Sequence, residues 1–132
     1  MKDISKILAG VSAALSLALA VPVHAHHSFP PTYFVDQTVT IKGKVVEFMF
    51  RNPHSVVQVL APAQDGTMVR WAVEWAAAAA LERDGKASRD LLHPGDEVII
   101  TGAPGRNPED HKIRLYTIER PADGWKWAGK YD

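Results

Sequence analysis

The chain has no cysteine. That excludes thiolate metal ligands, thiol catalysis and disulfide support, so any metal here must be held by nitrogen and oxygen. Net charge is also missing, since 15 basic side chains face 15 acidic ones. A strongly basic face able to hold a polyanion is not visible in those totals, and nucleic acid is not an expected partner. The chain contains no G-x-S-x-G, no H-E-x-x-H, no G-x-x-x-x-G-K-[ST] and no G-x-G-x-x-G before a helix. These absences do not exclude an enzyme, but they leave no reaction to name.

What is present begins with an address. Met1 to Lys6 carries two lysines and one aspartate, and Ile7 to Val21 is almost entirely Ala, Leu, Val, Ile, Gly and Ser. These are the n-region and h-region of a secretory signal. The run falls short of the roughly 20 apolar residues of a transmembrane helix, and Pro22 breaks it. Val23-His24-Ala25 places small or modest side chains at −3 and −1, so cleavage is expected after Ala25, giving a periplasmic protein that begins His26-His27 and has no membrane association. Losing Lys2, Lys6 and Asp3 with residues 1–25 barely alters the charge balance.

The remainder is enough for one domain and one modest core. In residues 26–37 the paired prolines of SFPPTYFVDQ favour an extended arm. The domain, residues 38–132, opens with TVTIKGKV, where Val39, Ile41 and Val45 alternate with polar residues as in a half-buried strand. The apolar set then moves to Val46, Phe48 and Phe50, a change of phase that predicts a long, bent first strand with a bulge near Gly43 or Lys44. Arg51-Asn52-Pro53-His54 reads as a turn. SVVQVLAP and MVRWAVEW read as a hairpin across Gln64-Asp65-Gly66-Thr67. WAAAAALERDG predicts a helix of about two and a half turns ended by Gly85. EVIITGAP and KIRLYTIER are the fourth and fifth strands, and Asp123-Gly124 marks a turn before WKWAGKYD. The expected fold is therefore all-β with one short helix, in the β-β-β-α-β-β order of a five-stranded OB-like barrel. A five-stranded sandwich is the alternative.

The chemistry that these residues permit centres on histidine. A chain that starts at His26 offers its α-amine and imidazole Nδ1 to one cation as a chelate, and an amine pKa of about 8 lets a metal displace the proton near neutrality. Amine and imidazole nitrogens in a tetragonal set suit copper(II). His54, behind its Asn-Pro turn, is the candidate third nitrogen, and the arm is long enough to fold back to it. His27 competes, because it can chelate through the intervening amide. With the leader attached, position 26 has no free amine and this site cannot form. Two readings of His54 stay open: metal ligand, or donor to a loop carbonyl that fixes the turn.

Glu74 lies between Trp71 and Trp75 on the third strand, on the face opposite Trp71, Val73 and Trp75. It is a candidate carboxylate ligand, or a base beside His54, against the ordinary reading of a solvated strand residue. His93 and His111 read as exposed loop residues, and Lys42 and Lys44 as the polar face of a strand. Trp125 and Trp127 either close the open barrel edge or, if exposed, stack on a ligand.

With HHSF at the mature start, NPH after the first strand, WAVEW with its alanine-rich helix, and EVIITGAP, the chain resembles a family of small exported bacterial proteins classed as a domain of unknown function. The resemblance covers residues 26 to about 128. It implies a periplasmic OB-like barrel and no established activity. At His26 and one later histidine only, the chain also resembles periplasmic copper carriers and lytic polysaccharide monooxygenases.

The expected function is periplasmic metal binding, with copper the expected ion and His26, His27, His54 and Glu74 the candidate ligands. It would serve buffering or transfer, with another periplasmic or envelope protein as a possible partner. The alternative is a non-catalytic OB-type module for an oligosaccharide, peptide or envelope partner, using Trp125 or Trp127. A small hydrolase using His54 and Glu74 lacks a nucleophile and an oxyanion site.

Overall fold

The computed structural model describes residues 32–129. Within them the order is β1 (Val39–Met49), β2 (Val56–Pro62), β3 (Met68–Glu74), α1 (Ala78–Arg83), β4 (Glu97–Pro104), β5 (Lys112–Arg120) and β6 (Trp125–Ala128). The stretch expected to be a leader, His26 and His27 lie outside the described residues.

β1 is the long, bent strand that the change of phase predicts. Its first half pairs with β4, from Val39↔Gly102 to Lys44↔Glu97, and its second half with β2, from Lys44↔Leu60 to Met49↔Val56. The register shifts between Val45 and Glu47, slightly beyond the expected position. Gly43 does a different job: a Cβ there would stand 2.3 Å from the carbonyl oxygen of Leu60, so it lets two backbones approach closely.

β2 and β3 form the expected hairpin, and β3 then pairs in parallel with β5 through Ala72↔Lys112, Val73↔Ile113 and Glu74↔Arg114. That pairing closes the circuit β3-β2-β1-β4-β5 into a five-stranded barrel. The chain end departs from the sequence reading. Trp125–Ala128 makes a short sixth strand on the far half of β5, from Thr117↔Ala128 to Arg120↔Trp125, beyond the stretch that β3 covers.

Inward-facing Val57, Val59, Val73, Ile100, Ile113 and Ile118 fill the barrel, each no more than 1% exposed. Trp75 closes one region of this core, edge-on to Trp127 at 5.0 Å and stacked on Phe48 at 6.1 Å.

The helix is shorter than its alanine run, because the hairpin's hydrogen bonds extend into it. Trp75 N–H donates to the Ser55 carbonyl at 2.8 Å, and Ser55 N–H to that of Ala76 at 2.9 Å. Ala77, at φ −57° and ψ 139°, is still extended and has no capping side chain of its own. The cap comes from the β1–β2 loop, where Asn52 Oδ1 accepts from Ala79 N–H at 3.1 Å. Ala78 N–H donates to the Arg51 carbonyl at 3.1 Å. Gly85, at φ 61°, ends the helix as expected.

The arm's described portion is sewn onto the β4–β5 turn. Tyr33 bridges Gly105, Phe34 N–H donates to the Pro104 carbonyl at 2.9 Å, and Arg106 N–H donates to that of Thr32 at 2.9 Å. Tyr116 Oη donates to the Val35 carbonyl at 3.3 Å, and the Arg106 guanidinium lies 4.5 Å from the Phe34 ring centre.

Candidate functional site

The loop from Phe50 to Ser55 is pinned at both sides of His54. Asn52 is committed to the helix N-terminus, and Ser55 is fully buried with its backbone in the hairpin ladder. The Asn52–Pro53 peptide is cis. The first ladder pair is Val56↔Glu74, which sets the last residue of β3 beside the residues that precede β2. The parallel pair Glu74↔Arg114 brings β5 to the same place. Hairpin register and barrel closure therefore converge on Glu74.

The carboxylate is engaged on both oxygens. Oε1 lies 2.6 Å from His54 Nδ1, and Oε2 accepts from Tyr33 Oη at 2.5 Å. Arg114 Nη1 stands 3.7 Å from Oε1 and donates to the Trp75 carbonyl at 3.2 Å. Because a carboxylate only accepts, the His54 contact assigns its hydrogen to Nδ1, and in the neutral ring Nε2 then carries the lone pair. Burial, then the hydrogen bond to Glu74 and its negative charge, push the Tyr33 phenol well above the usual tyrosine range despite the opposing charge of Arg114. Tyr33 is thus a fixed donor.

The site has a buried back and an open front. Tyr33 is 1% exposed and Arg114 6%, whereas the side chains of His54 and Glu74 are 37% and 21% exposed. In front lies a shallow depression of about 330 Å³ lined by Arg51, Asn52, Pro53, His54, Val56 and Glu74. His54 is thus a partly exposed imidazole held from behind by a carboxylate, an arrangement common behind metal-ligating histidines.

Of the four candidate ligands, the fold brings His54 and Glu74 together, while His26 and His27 fall outside the described residues. With one oxygen on His54 Nδ1 and the other on Tyr33 Oη, Glu74 has the geometry of a support for the imidazole. Among the described residues no three His, Asp or Glu side chains converge to hold a metal.

The remaining candidates separate. His93 is exposed, as expected. His111 is not fully exposed: its ring is edge-on to Trp71 at 5.3 Å, on a residue in left-handed backbone conformation. Trp127 is buried, and Trp125 is half-buried with the Arg120 guanidinium 5.7 Å from its ring centre.

Sequence reasoning missed Tyr33 and Arg114. Two adjacent aromatics, Tyr33 and Phe34, in a proline-rich arm were a usable sign that the arm packs on something. Arg114 carried no such sign, because alternation within β5 puts it opposite Ile113 and Leu115. All three are buried, and Arg114 is held on its side by its hydrogen bond to the Trp75 carbonyl.

Residues 14–114 match a family of unknown function, DUF6152. The match spans most of the sequence, and the chain belongs to that family. Among curated proteins, none matches the chain.

Proposed function

We propose that the protein is an exported metal-binding protein that takes copper(II) at His54 together with the amine and imidazole of His26, for buffering or transfer in the periplasm. The observation that carries this reading is the 2.6 Å contact between Glu74 and His54 Nδ1, which aims the other ring nitrogen away from its support. Carboxylate backing fixes a ligand's tautomer and raises its basicity, and losing such backing commonly costs about 10–100-fold in metal affinity.

The arm supplies the second part of the argument. Tyr33 touches the same carboxylate as His54. An extended chain spans at most about 3.3–3.6 Å per residue, so the stretch from His26 to Tyr33 can cover roughly 25 Å. That reach is ample for the amine to meet His54. With no cysteine in the chain, an amine and two imidazoles favour copper(II) over the softer copper(I). His27 is the competing chelator, and Glu74 acts behind the site.

The alternative of a ligand-binding module is less well supported, because Trp127 is spent in the core and Trp125 is partly covered by Arg120. Copper titration of the exported chain tests the proposal, with its first residue fixed by intact mass. A species that begins at His26 should bind one ion, and His26→Ala or one extra N-terminal residue should weaken binding at least tenfold. Undiminished binding by the extended form would move the site away from the terminus, and no binding by any form would end the proposal.

A further inference from the structure

We infer that Tyr33 is a positioning residue for the His54 imidazole: its phenol holds one oxygen of Glu74 so that the other meets Nδ1, and one carboxylate thereby joins arm docking to imidazole aim. The consequence for metal affinity rests on the copper-binding reading above, whereas the geometric linkage does not.

A glutamate on a strand has three side-chain torsions, and a single contact with a partly exposed imidazole would leave it several rotamers. The second contact removes that freedom. It comes from a phenol that cannot drift, because its residue is 1% exposed and bridges Gly105. Backbone hydrogen bonds on either side, from Phe34 to Pro104 and from Arg106 to Thr32, hold its neighbours. Arg114 Nη1, 3.7 Å from Oε1, adds an attractive charge on that side of the carboxylate. The line of support therefore runs from the β4–β5 turn through the Tyr33 ring and Glu74 to His54.

The test uses the exported chain beginning at His26, as wild type, Tyr33→Phe, Glu74→Asp and Tyr116→Phe. Tyr33→Phe keeps the ring and deletes the hydroxyl. Glu74→Asp keeps the charge but is too short to span both partners. Tyr116→Phe removes an arm contact that does not touch Glu74.

Ring nitrogen NMR of the metal-free proteins should show the Nδ1–H tautomer at His54 in wild type and Tyr116→Phe, and a mixture in the other two. Copper affinity should fall about tenfold in Tyr33→Phe and Glu74→Asp, with a changed copper electron paramagnetic resonance spectrum. Folded Tyr33→Phe and Glu74→Asp proteins with the wild-type tautomer would overturn the inference. If wild type takes no copper, the proposed function fails and the tautomer measurement alone decides this inference.

Discussion

His54 Nδ1 meets Glu74 Oε1 at 2.6 Å, joining the β1–β2 loop to the last residue of β3. The register of one hairpin, Val56 opposite Glu74, accounts for that proximity. The relationship makes Glu74 a junction, and several outcomes follow from disturbing it.

Glu74→Ala should destabilise the fold. It strips the acceptor from a phenol that is 1% exposed, and a buried donor left unsatisfied costs about 1–3 kcal/mol. Urea unfolding should show this loss with little change in the denaturant slope, while Glu74→Gln should cost less because its amide oxygen can still accept from Tyr33.

Alkali should act through Tyr33. Its folded-state pKa is raised above the unfolded value of about 10, so its contribution is fully present below pH 10 and is lost as pH rises toward the folded value. Stability measured between pH 9 and 12 should fall more steeply in wild type than in Tyr33→Phe. Equal slopes would remove Tyr33 as the cause.

Acid should act at the opposite end of β5. Asp96 accepts from His93 N–H at 3.0 Å and from Arg120 Nη1 at 3.0 Å, and the same arginine nitrogen donates to the Leu91 carbonyl at 2.6 Å. The backbone bond from His93, then Arg120, holds the Asp96 carboxyl below the usual range. A depressed folded pKa gives stability that is present above the unfolded value of about 3.9 and is lost as pH falls through the folded one. Asp96→Asn should flatten the acid limb of the stability curve below about pH 4, measured by circular dichroism.

Gly102 tests barrel closure. The β4–β5 register shifts between Thr101 and Gly102, and a Cβ at Gly102 would stand 2.0 Å from the Arg114 carbonyl oxygen. No flexible side chain is available to yield there. Gly102→Ala should force the strands apart, cost about 1–3 kcal/mol or more, and disturb Arg114 and with it the surroundings of Glu74.

The barrel was legible because its strands advertise themselves locally. EVIITGAP and KIRLYTIER have the same bounds in the sequence reading and in the fold. The phase change after Val45 marks a strand that pairs in two directions. What local patterns hid were effects of distant partners. The alanine run lost its first turn to the hairpin ladder, and Trp125–Ala128 became a strand along the edge of β5 that β3 leaves open. At the site, the pairing of NPH with Glu74 could be entertained from residue chemistry, whereas Tyr33 and Arg114 required closure of the barrel and docking of the arm. His26 and His27 lie outside the described residues.

Nitrogen hyperfine structure in the copper electron paramagnetic resonance spectrum tests the central claim most directly, using the protein that starts at His26 and its His54→Ala variant. The account predicts three nitrogen donors in the first and two in the second, with affinity at least tenfold lower. An identical spectrum and affinity in the two proteins would show that the Glu74-backed imidazole takes no part in holding the ion.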